Sequence, residues 1–247
     1  MHSIPVRTAL LGLLFCTPLC AQQRESPTAK PKAARTSMFL QSSPLDLALI
    51  IERPPSNNSA VTIAELKQLH DIENVRTVQE ANEAKADDVE QDIFVYRSIF
   101  GSGFTPGNLP VLASLSADVH NEEGVATESL KADYARPRPY QLDHSLHPIC
   151  KVTTEANSYP SGHTLSGYLL GYTLAYLSPE KKDLILARTD EYAHNRLVCG
   201  VHYPSDVEAS KALAAAMFGA MLLNPAFQQR LRDAQKELQT RLGAGSN

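Results

Sequence analysis

The 247-residue chain has no cluster of Lys and Arg, no apolar run of the roughly 20 residues that a spanning helix needs, no sustained strand-like alternation and no internal repeat. The first absence, together with a formal net charge of −4, leaves no electrostatic footprint for nucleic acid or for an anionic membrane. Any anion the protein binds must therefore be bound locally. The second absence excludes a membrane-embedded helical protein. The last two, with no linker-like stretch in mid-chain, point to an all-α fold, a single-domain multi-helix bundle.

Cysteine is scarce as well. Residues 1–21 read as a secretory signal peptide: one cation, Arg7, then an apolar stretch over 9–20, then Ala21 before Gln22 as the cleavage position. That stretch is too short for a membrane anchor, and bulky Phe15 and Leu19 suit lipoprotein processing at Cys16 or Cys20 poorly. Cleavage predicts a periplasmic or secreted protein, removes Arg7 and no acid, and so takes the formal charge from −4 to −5. It also discards Cys16 and Cys20. Cys150 and Cys199 are then the only thiols in an oxidising compartment, where pairing is expected over two buried reduced cysteines. In the chain-entropy model a loop of that length contributes about 4 kcal/mol.

Residues 22–44 read as a flexible lead-in, rich in Gln, Lys, Pro, Ala and Ser in its first part, and 45–247 as the folded domain. Ser59 is a candidate N-cap after a Pro- and Asn-rich loop. Apolar residues at three-to-four spacing then predict helices over 61–84, 89–100 and 109–135. The irregular, proline-bearing stretch 136–159 is expected to wall a site. Helices over 164–177, 181–197, 205–223 and 225–242 follow, and the apolar pieces 167–177 and 212–223, short of a bilayer span, read as central core helices.

Chemistry concentrates in three polar clusters: Lys131-x6-Arg138-Pro139, Pro160-Ser161-Gly162-His163, and Arg196-x5-His202-x3-Asp206. Ser161 and Gly162 open a helix, where unpaired N–H groups and the dipole attract an anion. Arg138 and Arg196 offer guanidinium forks that suit phosphate oxygens, and Lys131 a compact point charge. His202 lies just upstream of Ser205-x-x-Glu208, which reads as a capping box, and Asp206 is placed to accept a proton from one ring nitrogen of His202. That would fix the tautomer and free the other nitrogen to attack phosphorus. Taken singly, each group has a structural reading: a turn with a serine cap, dipole-favoured acid, solvated helix-end cations. Their conjunction points to work on phosphate esters.

In that order the three clusters resemble the signature KxxxxxxRP, PSGH, SRxxxxxHxxxD of the type 2 phosphatidic acid phosphatase and vanadium haloperoxidase superfamily. Within it the chain is most similar to the bacterial class A non-specific acid phosphatases, over most of the mature chain, including Leu197-Val198-Cys199-Gly200 and the closing 224–229. Asn195 stands where the pattern has serine, which puts one local contact in question. The resemblance implies a broad phosphate monoesterase: His202 as nucleophile giving a phosphohistidine, Asp206 orienting it, and His163 as general acid and then base. Lys131, Arg138, Ser161, Gly162 and Arg196 would bind the phosphoryl oxygens, with no metal and no cofactor. The implied partners are small phosphate monoesters, and relatives of this kind form oligomers. The implied pH profile is a bell with an acidic optimum, its acid limb set by His202 and its alkaline limb by His163.

Three rivals share the pattern. A vanadium haloperoxidase would hold vanadate on the same cations, although such enzymes are generally larger; a lipid phosphate phosphatase would need spanning helices; a phosphate-binding protein would have no use for the His163, His202 and Asp206 arrangement. Nothing in the sequence chooses the leaving group, and His120, His144, His147 and His194 receive no role.

Overall fold

Most of the longer helices begin at a capping side chain or a first-turn proline, and one inserted cap divides what periodicity reads as continuous. The computed structural model describes residues 35–41 and 45–243; the signal peptide expected over 1–21 lies outside them. In chain order the helices are α1 (Ala60–Val75), α2 (Val78–Val89), α3 (Arg97–Phe100), α4 (Pro110–Tyr134), α5 (Pro139–Leu142), α6 (Gly162–Leu177), α7 (Lys182–Val198), α8 (Pro204–Met221) and α9 (Pro225–Leu242). Short 3₁₀ turns lie at Leu47–Leu49, Ile93–Tyr96 and Pro179–Lys181. Among the described residues there is no strand, and no helix is long and apolar enough to cross a membrane. The fold is all-α.

Two predicted helices need correction. The 61–84 segment is α1 and α2, separated at Arg76 and Thr77. The Thr77 hydroxyl accepts Glu80 N at 3.2 Å while the Glu80 carboxylate accepts Thr77 N at 2.7 Å, so a capping box restarts the chain. Arg76 fixes the corner by donating to Val198 O and His147 O at 3.1 and 3.2 Å. The 89–100 segment becomes a 3₁₀ turn and the single-turn α3: α2 stops at Val89, and Asp92 caps a new turn by accepting Phe94 N at 2.8 Å, with Ile93, Phe94, Val95 and Tyr96 all buried. The α8 cap also differs from expectation. Pro204 takes the first helical position, and the capping acid is Asp206, whose Oδ2 accepts Tyr203 N at 2.9 Å, rather than Glu208.

The core is organised around α6, which packs on α4, α7 and α8. Gly167 and Gly171 permit this approach. A Cβ on Gly171 would stand 2.3 Å from Thr189 Oγ1, and one on Gly167 would stand 2.7 Å from the Tyr192 ring. Tyr96 closes the contact by donating to Gly167 O at 3.0 Å. At the other end of the chain, Phe39 packs on Phe227 with ring centroids 4.9 Å apart. Buried Glu122 of α4 accepts Ser37 Oγ, Met38 N and Phe39 N at 2.6, 2.5 and 3.0 Å. Packing therefore starts ahead of Leu45, inside the stretch that composition assigns to the lead-in.

Candidate active site

The long helix α4 ends at Ala135, whose φ of 42° and ψ of 43° are left-handed, an unusual conformation for a residue with a Cβ. That reversal turns the chain back so that Lys131, in the last helical turn, and Arg138, at the start of α5, can face the same space. Ser161 caps α6, its hydroxyl accepting Thr164 N at 3.4 Å, with Gly162 and His163 in the first turn. Arg196 comes from the last turn of α7, His202 from the loop beyond it, and Asp206 from the first turn of α8. The Cys150–Cys199 disulfide clamps the loop ahead of Asn157 and Ser158 to the turn between Arg196 and His202.

The chemistry of the donors assigns the His202 tautomer. Arg138 Nη1 lies 3.3 Å from His202 Nε2 and can only donate, so Nε2 carries the lone pair. Nδ1 then carries the proton and donates to Asp206 Oδ2 at 3.2 Å. Ser158, absent from the sequence reading, also donates to Asp206 Oδ2, at 2.6 Å. The result is a buried imidazole with its free lone pair directed to the cations. Burial first, and then the charges of Arg138, Arg196 and Lys131, hold its pKa well below the ordinary value, so the ring stays neutral.

His163 sits in a different field. Its Nε2 donates to Asp88 O at 3.1 Å, with Asp88 Oδ1 at 3.8 Å. Burial and the Arg196 charge push its pKa down to about 3, against the pull of Asp88. Asp88, at the end of α2, also accepts Arg196 Nη2 at 2.9 Å and Lys151 N at 3.0 Å. Burial alone would raise its carboxyl, but those two donors outweigh it and keep the group below the usual range. Arg196 Nε is buried without a partner, a donor left over for an incoming oxygen. Asn157 aims Arg138 by accepting Nε at 2.9 Å, and Arg138 Nη1 is tied to Val201 O at 2.9 Å.

Lys131 is lowered by burial, opposed chiefly by nearby Glu123. A Cβ on Gly162 would stand 2.4 Å from Glu123 Oε1 and 3.4 Å from Lys131 Nζ, so a larger residue there would push the Glu123 carboxylate aside beside Lys131. All eight residues singled out by the three clusters thus lie at helix ends or in the loops beside them. Asp88, Asn157, Ser158, Glu123, Arg136 and Glu65 were missed, because none stands in a recognisable motif and each meets its partner only through the fold. His120 bonds Ser166 Oγ at 2.9 Å; His144 and His147 bond Tyr140 O and Glu73, at 3.2 and 2.9 Å.

Residues 113–230 match the family model of the PAP2 superfamily, a span that holds Lys131 through Asp206. The chain is 34% identical over 154 residues to a non-specific acid phosphatase of Salmonella typhimurium, covering 61% of this chain and 62% of that one. It is 31% identical over 150 residues to a non-specific acid phosphatase of Providencia stuartii, covering 58% and 59%. The chain thus spans about three fifths of the length of these curated relatives. A solved Bacillus subtilis structure, described as a transmembrane PAP2 type phosphatidylglycerolphosphate phosphatase, superposes with a TM-score of 0.49 at 18% identity, covering 70% of this chain and 88% of that one.

Proposed function

We propose that this chain, which carries a PAP2 superfamily domain over residues 113–230, is an acid phosphatase that hydrolyses phosphate monoesters of broad specificity through a phosphohistidine on His202. The observation that carries the reading is the His202 ring, held by Asp206 at Nδ1 with its Nε2 lone pair beside Arg138 at 3.3 Å. An imidazole so placed is a nucleophile, and a merely phosphate-binding pocket has no use for one.

The phosphoryl oxygens take the charges of Lys131, Arg138 and Arg196 and the N–H groups at the start of α6. His202 Nε2 attacks phosphorus in line. The N–P bond forms as the ester P–O bond breaks, and the departing oxygen takes a proton from His163. His163 is anchored through Nε2 on Asp88 and so offers Nδ1 for that transfer. In the second step His163 Nδ1 accepts a proton from water, whose oxygen attacks phosphorus. The N–P bond breaks, inorganic phosphate leaves, and the Nε2 lone pair is restored. No metal enters this scheme. Its support is that Lys131, Arg138 and Arg196 already supply the positive charge that the phosphoryl oxygens need. Export to an oxidising compartment belongs to the same reading, supported by the Cys150–Cys199 bond.

The direct test is release of p-nitrophenol from p-nitrophenyl phosphate at acidic pH with a chelator present. Turnover is expected from the parent and none from His202→Ala, while His163→Ala still forms a phosphoenzyme with this good leaving group. Mass spectrometry should find that phosphate on His202. Phosphate on another residue, or turnover that stops with the chelator, overturns the scheme.

A further inference from the structure

Asp206 is bound on its far side as well. Arg136 Nη1 donates to Asp206 Oδ1 at 2.6 Å, and Arg136 Nη2 donates to Glu65 Oε2 at 2.9 Å. Arg136 Nη1 also reaches Ser205 Oγ at 2.8 Å, and Ser205 N donates to Glu65 Oε1 at 2.6 Å. The guanidinium lies 3.8 Å over the Tyr203 ring. Arg136 and Glu65 are 3% and 6% exposed, and Asp206 is fully buried. A continuous row of side chains, Glu65, Arg136, Asp206, His202, therefore runs from α1 to the nucleophile out of contact with water.

The row answers an electrostatic difficulty. A carboxylate with no access to water tends to take up a proton, and burial pushes Asp206 up to about 6 against Arg136, the Ser158 hydroxyl and Tyr203 N–H. A protonated Asp206 has lost much of its power to accept from His202 Nδ1. Other charged or titratable groups act on it: Lys131 from α4, Arg138 from the start of α5, Tyr159 ahead of α6, and Tyr203 and His202 beside α8. Lys131 and Arg138 are the cations that a phosphate dianion neutralises on binding. Arg136 is bonded to Asp206 itself and lies behind it, so its charge persists when substrate arrives.

We infer that Arg136 and Glu65 are positioning residues for the reaction proposed above: Arg136 keeps Asp206 a carboxylate while phosphate is bound, and Glu65 aims the guanidinium while drawing off part of its charge. The inference rests on that functional reading. Its consequences have opposite signs at the two ends of the row, which a simple loss of packing would not produce.

The experiment uses the full chain and its Arg136→Met, Arg136→Lys and Glu65→Gln variants. Each is checked for folding by thermal unfolding, and kcat and KM are measured against pH with p-nitrophenyl phosphate. In Arg136→Met the acid limb of kcat should move up by about one pH unit or more, with activity recovered at higher pH and KM little changed. Arg136→Lys keeps the charge and should hold the limb near the parent's. Glu65→Gln should move it down. A folded Arg136→Met whose kcat falls equally at every pH overturns the inference, as does an upward limb in Glu65→Gln. Should Arg136→Met not fold, the other two variants decide by the same signs. Should the parent show no turnover, the functional reading fails by itself, and ¹⁵N NMR of His202 with inorganic phosphate decides the rest. The Nδ1–H tautomer should weaken in Arg136→Met at acidic pH; an unchanged tautomer overturns the inference.

Discussion

His163 and His202 occupy one site but carry different electrostatic tasks. In the proposed reaction His202 attacks as a neutral ring, and burial beside three cations keeps it so. The same proposal has His163 deliver a proton, yet burial and Arg196 push it down to about 3 in the free protein. Only substrate charge can reconcile the two. An anion favours the imidazolium, so binding phosphate raises the His163 pKa. We expect an NMR titration with saturating inorganic phosphate to move it up by about two units or more. The alkaline limb of kcat, which reports the bound enzyme, should then lie well above the free-protein value, and an unmoved His163 would remove it as the acid. Gly162→Ala belongs to the same scale. Its Cβ would stand 2.4 Å from Glu123 Oε1, so the Glu123 carboxylate should move aside and disturb Lys131, raising KM about tenfold in steady-state kinetics.

At the scale of elements, helix starts are local events and were readable as such. Ser59, Ser161 and Asn224 each accept a first-turn N–H, and α4, α5, α8 and α9 open with proline in their first turn. The α1–α2 corner escaped a reading by apolar period because Thr77 and Glu80 are polar and interrupt no hydrophobic spacing. The docking of residues 37–39 escaped for another reason. Its receptor is Glu122, one acid among several on α4, and nothing in the sequence distinguishes a buried acceptor from a solvated one. Glu122→Ala is expected to lower stability by about 2 kcal/mol in urea unfolding and to expose residues 37–39 to protease; equal stability and equal cleavage would contradict this docking.

For the molecule as a whole, the disulfide joins the two halves of the site. Cys150 leads into the loop that bears Asn157 and Ser158, and Cys199 lies between Arg196 and His202. Reduction should cost about 4 kcal/mol of stability in denaturant titration and should lower activity in parallel, through Arg138 and His202 losing their supports. Activity that survives full reduction at unchanged stability would show the bond to be incidental.

The amino-acid sequence by itself determined the all-α class, most helix boundaries and the eight residues of the three clusters, because caps, apolar periods and motifs each depend on neighbours a few positions away. Tertiary structure alone decided what surrounds them. Arg196 meets Asp88 across 108 positions, and Arg136 meets Glu65 across 71. Such partners are chosen by how α1 and α2 pack against α7 and the rest of the bundle, and the charge state of a buried carboxylate or imidazole follows from those partners rather than from its own place in the chain.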